Sequence, residues 1–252
     1  MWGTQVTVEV CDAIDATALV DSCLRLIHRT SLLLDSNDVD SEIVQIARGE
    51  IPPEHASPEL REVLKFGDEM HAETGGAFDM TAGVQLPLRP KSRMTVADPA
   101  GLAKGWAVDQ AAERLRTDGV RTFFIAIGDD GIASGCPRGT EGWPVVVPHP
   151  WERGRAAASL RIVDCAFATS SRVRQPDRIV DPRTGRPAAG FASMTVVGRE
   201  CAIADGYATT AMVLGPGEGV RWLGTRPDYE GMALTDSRAL LLTPGFDRYR
   251  IA

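Results

Sequence analysis

Asp205 and Thr209 stand four residues apart in the stretch CAIADGYATTAMVLG, residues 201–215. The stretch reads as an amphipathic helix ending at a glycine, and an i, i+4 spacing puts both side chains on one helix face. A carboxylate beside a hydroxyl is a hard, all-oxygen pair, suited to Mg²⁺ or Ca²⁺ rather than zinc. Two ligands do not complete a site, so other segments or a phosphate must supply the rest. A structural reading stands beside this one. In it Thr209 bonds back to its own helix carbonyl, and Asp205 caps a helix or pairs with an arginine.

Three more clusters carry polar groups at spacings that chemistry uses. In VADPAGLAKGWAVDQAAERL, 96–115, Asp98 precedes a glycine-containing helix start and Lys104 falls in its first turns. Backbone N–H groups at a helix start attract phosphate, and a nearby lysine adds a point charge. The nucleotide-hydrolase pattern G-x-x-x-x-G-K-[ST] is absent, and a lysine snorkelling from a surface helix gives the same spacing. ATSSRVRQPDRIVDPRTGRP, 168–187, sets small hydroxyl residues at a strand end before the turn Asp181-Pro182-Arg183-Thr184-Gly185. GGAFDMTAG, 75–83, has glycines that permit close backbone approach and an acid, Asp79, on a turn.

The elements that must position these groups follow from periodicity. TQVTVEV, 4–10, alternates and reads as a strand with Val6, Val8 and Val10 on one face. Residues 13–34 have helical spacing, and Ser57-Pro58 is an N-cap and N1 pair for a helix running to about Glu73. A further helix spans about 100–118, with Gly119 just past its end. RTFFIAIG, WPVVVP, SLRIVD and SMTVVG read as strands, the helix of the opening stretch occupies about 200–214, and MALTD with RALLLTP forms a closing hairpin. Short turns between neighbouring strands favour an α+β fold of layered mixed or antiparallel sheets with helices over a doubly wound parallel sheet. No internal repeat or linker divides the chain, so a single domain over 1–252 is expected.

Composition bounds the function. The chain has 252 residues and a net charge of −7, which argues against a nucleic-acid partner, because such affinity rests on neutralising phosphates with Lys and Arg. Its five cysteines are widely spaced with no C-x-x-C pair, and its four histidines lack metal-ligand spacing, so neither a disulfide framework nor a zinc site is expected. No run of about eighteen apolar residues marks a transmembrane segment, and no signal-peptide pattern opens the chain, so a cytoplasmic location is expected.

The order of the clusters says more than any one of them. A-F-D-M-T, A-K-G-W-A-V-D, A-T-S, D-P-R-T-G-R-P and A-D-x-x-A-T-x-x-x-x-L-G, in this order, resemble the ApbE family of flavin transferases. The resemblance covers most of the chain and implies a fold in which FAD lies in a cleft between two subregions, with Mg²⁺ against its pyrophosphate. It implies transfer of FMN from FAD to a threonine hydroxyl of an acceptor flavoprotein, with release of AMP. Carried over by motif, Asp205 and Thr209 become metal ligands, joined by the backbone carbonyl of Gly101. Trp2, Ala77, Phe78, Asp79, Asp98, Lys104, Thr169, Ser170, Ile179 and Val180 fall where the family contacts FAD.

Four positions depart from the family pattern. Arg178 stands where a histidine thought to take part in catalysis is common, and an arginine does not deprotonate in proteins. It can still stabilise charge on a phosphate, and is expected with Asp205 in the catalytic set. FAD binding alone, or hydrolysis of FAD to FMN and AMP, is the alternative that this exchange raises. Ser171 replaces a glycine of A-T-S-G. Gly128-Asp129-Asp130-Gly131 replaces a glycine pair and adds negative charge near an anionic ligand. The segment between Thr81 and Asp98 is shorter than usual, so part of one cleft wall is expected to be absent.

Overall fold

The computed structural model describes residues 2–12, 15–36, 38–80, 101–173 and 179–251. Asp98, Arg178 and the short segment between Thr81 and Asp98 lie outside these residues. The centre of the fold is set by the alternation in FFIAI, strand β2 (Phe123–Ile127). Phe123, Ile125 and Ile127 turn to one side and join a cluster with helix residues, while Phe124 and Ala126 turn to the other and pack against a β-hairpin. Period-two alternation thus gives one strand two buried faces. Each fully buried Phe or Ile contributes about 1.5–3 kcal/mol.

Around β2 the strands are β1 (Val6–Val10), β3 (Asp130–Ser134), β6 (Cys165–Ser171), β9 (Phe191–Gly198), β10 (Glu230–Thr235) and β11 (Leu240–Leu242). They form a seven-stranded sheet in the order β1-β2-β3-β6-β9-β10-β11. Every pairing in it is antiparallel, which narrows the mixed-or-antiparallel expectation. Strands β4 (Trp143–Pro148) and β5 (Ala156–Ile162) make the hairpin that covers one face, with Trp143, Val145, Val147, Leu160 and Ile162 packed on Phe167, Val197 and Met232. A small hairpin of β7 (Val180–Asp181) and β8 (Arg186–Pro187) stands apart.

Helices cover the other face: α1 (Ala16–Leu34), α4 (Ala103–Thr117) and α5 (Cys201–Leu223), with α2 (Glu42–Ala47) and α3 (Pro58–Glu73) packed outside them. The expected start of α3 is met: Ser57 Oγ accepts the Leu60 N–H at 3.2 Å with Pro58 in the first turn. The expected end of the last helix at Gly215 is a break rather than a stop. Gly215 adopts φ 76° and ψ 178°, and the chain resumes as helix at Pro216, a residue suited to a first turn. No helix among the described residues is long and apolar enough to cross a membrane.

Candidate metal and phosphate site

Two threonines side by side on α5 behave differently, and the difference defines the site. Thr210 Oγ1 donates to the Gly206 carbonyl at 2.8 Å, the ordinary back-bond of a helical threonine. Thr209 instead shares a hydrogen bond with Ser170 Oγ at 3.1 Å. Strand alternation places Ser170 on the helix face of the sheet, with Ala166 and Ala168. A turn earlier on α5, Asp205 is 3% exposed.

Gly101, just ahead of α4, completes this corner. A Cβ built there would lie 3.1 Å from Thr209 Oγ1 and 3.1 Å from the Phe78 ring, so the glycine lets its backbone come up to both. The Gly101 backbone thus sits beside the Thr209 hydroxyl, with the buried Asp205 carboxyl one turn earlier on α5; carboxylate, hydroxyl and carbonyl oxygens are hard donors of the kind Mg²⁺ takes. Among the described residues no three His, Cys, Asp or Glu side chains gather into a metal cluster.

α4 reaches α5 through residues four apart. Gly105 meets the Cys201 and Ala202 backbone, where a Cβ would lie 2.5 Å from the Cys201 carbonyl oxygen. The Asp109 carboxylate accepts the N–H groups of Cys201 at 2.9 Å and Ala202 at 2.8 Å. With Gly101 opposite Thr209, the helices run antiparallel, and Lys104 falls level with Asp205. Lys104 is ion-paired with Asp130 of β3, whose carboxylate is wholly buried and also accepts the Thr169 N–H at 3.0 Å. The lysine is therefore not snorkelling into solvent. Nor does Asp130 add an uncompensated charge, as the G-D-D-G departure suggested. Burial opposes the Lys104 charge, but Asp130 and Asp205 outweigh it and hold its pKa above the usual lysine value.

Asp109 supplies the cap that α5 lacks locally, since Glu200 at its N-cap makes no side-chain bond. Burial pushes the Asp109 carboxyl up to about 6 against the pull of the two N–H donors. A carboxyl whose folded pKa lies above its unfolded value binds protons better when folded. Stability therefore rises as pH falls through about 6 and levels off below the unfolded value of 3.8. Chemical denaturation of wild type and Asp109→Asn at pH 7 and pH 4.5 is expected to show wild type gaining about 1–3 kcal/mol relative to the variant at the lower pH. A pH-independent difference would refute the assignment.

The other expected contact residues divide into groups. Ala77 and Ile179 meet in a small apolar cluster with Ala188 and Val213 of α5. Phe78 is buried, its N–H bonded to Thr74 Oγ1 at 3.0 Å. Asp79 lies 3.7 Å from His71 Nδ1, which is itself 3.0 Å from the Phe78 carbonyl. Val180 pairs with Pro187 across the turn that Asp181 organises by accepting the Arg183 N–H. Thr169 Oγ1 pairs with Thr195 Oγ1 at 2.9 Å. Trp2 packs against both helix-side clusters, with no polar contact to the Thr209 corner among the described residues. Spacing alone does not mark Asp130, Asp109 or Thr195 as residues that build the site.

Comparison with known families matches residues 2–90 and 84–233 to the ApbE family. The chain belongs to the ApbE family. It is 32% identical over 133 residues to the FAD:protein FMN transferase of Vibrio cholerae, covering 49% of this chain and 40% of that protein. It is 24% identical over 295 aligned positions to that of Rhodobacter capsulatus, covering 97% of this chain and 56% of that protein. The chain thus spans about half the length of these curated relatives. Among solved structures, the flavin transferase ApbE from Vibrio cholerae superposes with a TM-score of 0.81 at 23% identity, covering 98% of this chain and 96% of that one. The ApbE protein from Thermotoga maritima gives 0.83 at 20% identity, covering 100% and 97%. These likenesses establish an ApbE fold, and all the elements around the Thr209 corner lie inside the family match.

Proposed function

We propose that residues 1–252 form a single ApbE-like unit that transfers FMN from FAD to a threonine hydroxyl of an acceptor protein, releasing AMP. The observation that carries this reading is the Thr209 hydroxyl, turned off its own helix carbonyl toward Ser170 and Gly101, one turn from the buried Asp205. Family membership and the transferase names of the relatives support the same chemistry. Asp205, Thr209 and the Gly101 carbonyl would hold Mg²⁺. Bound there, the ion would offset the charge of the FAD diphosphate and polarise its phosphorus.

The chain's own residues bind and orient. Ala77, Phe78, Asp79, Ile179 and Val180 would flank FAD, with Trp2, Thr169, Ser170 and Asp98 at the places where the family meets it. Lys104 would add positive potential beside the diphosphate. The acceptor oxygen forms a bond to the FMN phosphorus as the bond from that phosphorus to the AMP phosphate oxygen breaks. The hydroxyl proton passes to solvent. Arg178 would stabilise phosphate charge rather than take that proton, because guanidinium stays protonated.

The test is incubation with FAD, Mg²⁺ and an acceptor flavoprotein carrying a target threonine. A mass increase of one FMN that survives denaturation, with AMP released in equal amount, is expected. FMN and AMP without a modified acceptor would instead mark a pyrophosphatase. FAD retained intact would mark a binding protein.

A further inference from the structure

Strand β6 runs further than its neighbour on one side. Its pairing with β9 continues to Ser171 opposite Ser193, whereas its pairing with β3 stops at Phe167 opposite Gly131. The Thr169 N–H goes to the Asp130 side chain at 3.0 Å, in place of a β3 carbonyl. The Arg172 N–H donates to the Ala192 carbonyl at the start of β9, at 3.2 Å. A strand residue points its N–H and C=O to one side, and the next residue points them to the other. Residues 170 and 172 therefore face β9, and residues 169 and 171 face the side that β3 has left. Among the described residues nothing bonds the Thr169 C=O, the Ser171 N–H or the Ser171 C=O, and Ser171 is exposed.

This open backbone adjoins the Thr209 corner. Ser170 stands between the two edge residues, its Oγ 3.1 Å from Thr209 Oγ1. A strand laid along the edge sets the side chain opposite Ser170 on the same face, with Cβ atoms about 4.5–5.5 Å apart. The edge also selects its occupant. Two carbonyls and one N–H match the donors and acceptors of another backbone, whereas a diphosphate only accepts and is repelled by carbonyl oxygens.

We propose that the edge of β6 at Thr169–Ser171 is the docking site for the acceptor protein. Its target threonine enters in an extended segment paired antiparallel to β6, along the line that β3 leaves, with its hydroxyl beside Ser170. The inference rests on the reading of this chain as an FMN transferase. Main-chain bonds supply the affinity, as where an extended peptide adds a strand to a sheet edge. In this register the residues flanking the threonine bond Ser171 and Thr169, and the threonine's own N–H faces away.

The discriminating variant is Ser171→Pro. Proline is tolerated on an edge strand whose N–H faces away from the sheet, so the fold holds. The variant loses one edge donor and sets a ring where the acceptor strand lies. Its KM for an acceptor flavoprotein, at saturating FAD and Mg²⁺, is expected to rise about tenfold or more, with the Kd for FAD kept within about threefold. Ser171→Ala loses only the hydroxyl bond to the Ala192 carbonyl and is expected to hold the acceptor KM within about threefold.

An unchanged acceptor KM in Ser171→Pro overturns the proposal. An equal loss of FAD affinity also overturns it, because the edge then holds the cofactor. If Ser171→Pro does not fold, wild type decides with a synthetic peptide carrying the target threonine. N-methylation of either residue flanking the threonine is expected to weaken the peptide about tenfold or more, and N-methylation of the threonine itself by no more than about threefold. Equal effects at the three positions overturn the proposal, as does a peptide that neither takes FMN nor competes with the acceptor. Transfer by wild type that ignores all these changes removes the docking site and leaves the transferase reading standing. No transfer by wild type overturns both.

Discussion

Asp205→Ala is expected to remove most of the proposed Mg²⁺-dependent FMN transfer and to leave the chain folded. The carboxylate is buried beside the Thr209 hydroxyl and supplies the only full negative charge of the proposed donor set. A divalent cation on a diphosphate contributes several kcal/mol of charge stabilisation. At about 1.4 kcal/mol per tenfold, its loss lowers kcat/KM by about 10³-fold or more. The fold tolerates the change because Lys104 keeps its Asp130 partner. Two threonine variants test whether the loss belongs to the site. Thr209→Val removes a donor oxygen while keeping side-chain shape, and is expected to cost about 10–100-fold in kcat/KM. Thr210→Val removes a hydroxyl whose partner is the Gly206 carbonyl. It is expected to leave the rate within about twofold and to change stability by about 1 kcal/mol or less. Equal losses at the two positions would sink the assignment of Thr209.

The contrast between these threonines also marks how far the sequence can be read. Spacing places Asp205 and Thr209 on one face, and that survives in α5. Spacing does not say which of two adjacent hydroxyls turns back on its own helix. That choice depends on Ser170, which arrives through the β6–β9 register and the packing of α5 on the sheet. The same holds for Asp130. Read alone, G-D-D-G adds acid near an anionic ligand. In the fold the strand's two-residue period buries Asp130 toward α4, and Lys104 neutralises it. Local signals carry the α3 cap, the closing hairpin and most strand positions, and they mark Gly215 as a helix end where the chain instead breaks and resumes as helix. They miss β3, α2 and the β7–β8 hairpin, each short and weakly periodic. Long-range pairs such as Asp109 with the α5 start leave no sequence pattern, since the partner groups are backbone N–H.

Gly105→Ala is expected to weaken the fold and the site together. A helix interior normally gains up to about 1 kcal/mol when alanine replaces glycine. Here the new methyl would lie 2.5 Å from the Cys201 carbonyl oxygen and 2.7 Å from the Ala202 Cα. These are backbone atoms of another helix, so no side-chain rotation relieves the contact, and α4 and α5 must separate. Overpacking of this kind costs about 1–3 kcal/mol, with more where backbone must move. The Asp109 cap of α5 stretches as well, adding about 1 kcal/mol. A net loss of about 2–3 kcal/mol corresponds to a fall in Tm of about 4–12 °C for a chain of this size. Gly217→Ala is the matched control: a Cβ there meets nothing within 4 Å, and stability is expected to hold or rise slightly. The separation of the helices also draws Gly101 away from Thr209, since both contacts lie on one face of the α4 approach. Mn²⁺ affinity should therefore fall at temperatures well below the Tm of Gly105→Ala. A variant that melts early yet binds Mn²⁺ like wild type would show that the Gly105 contact holds the fold but does not set the Thr209 corner.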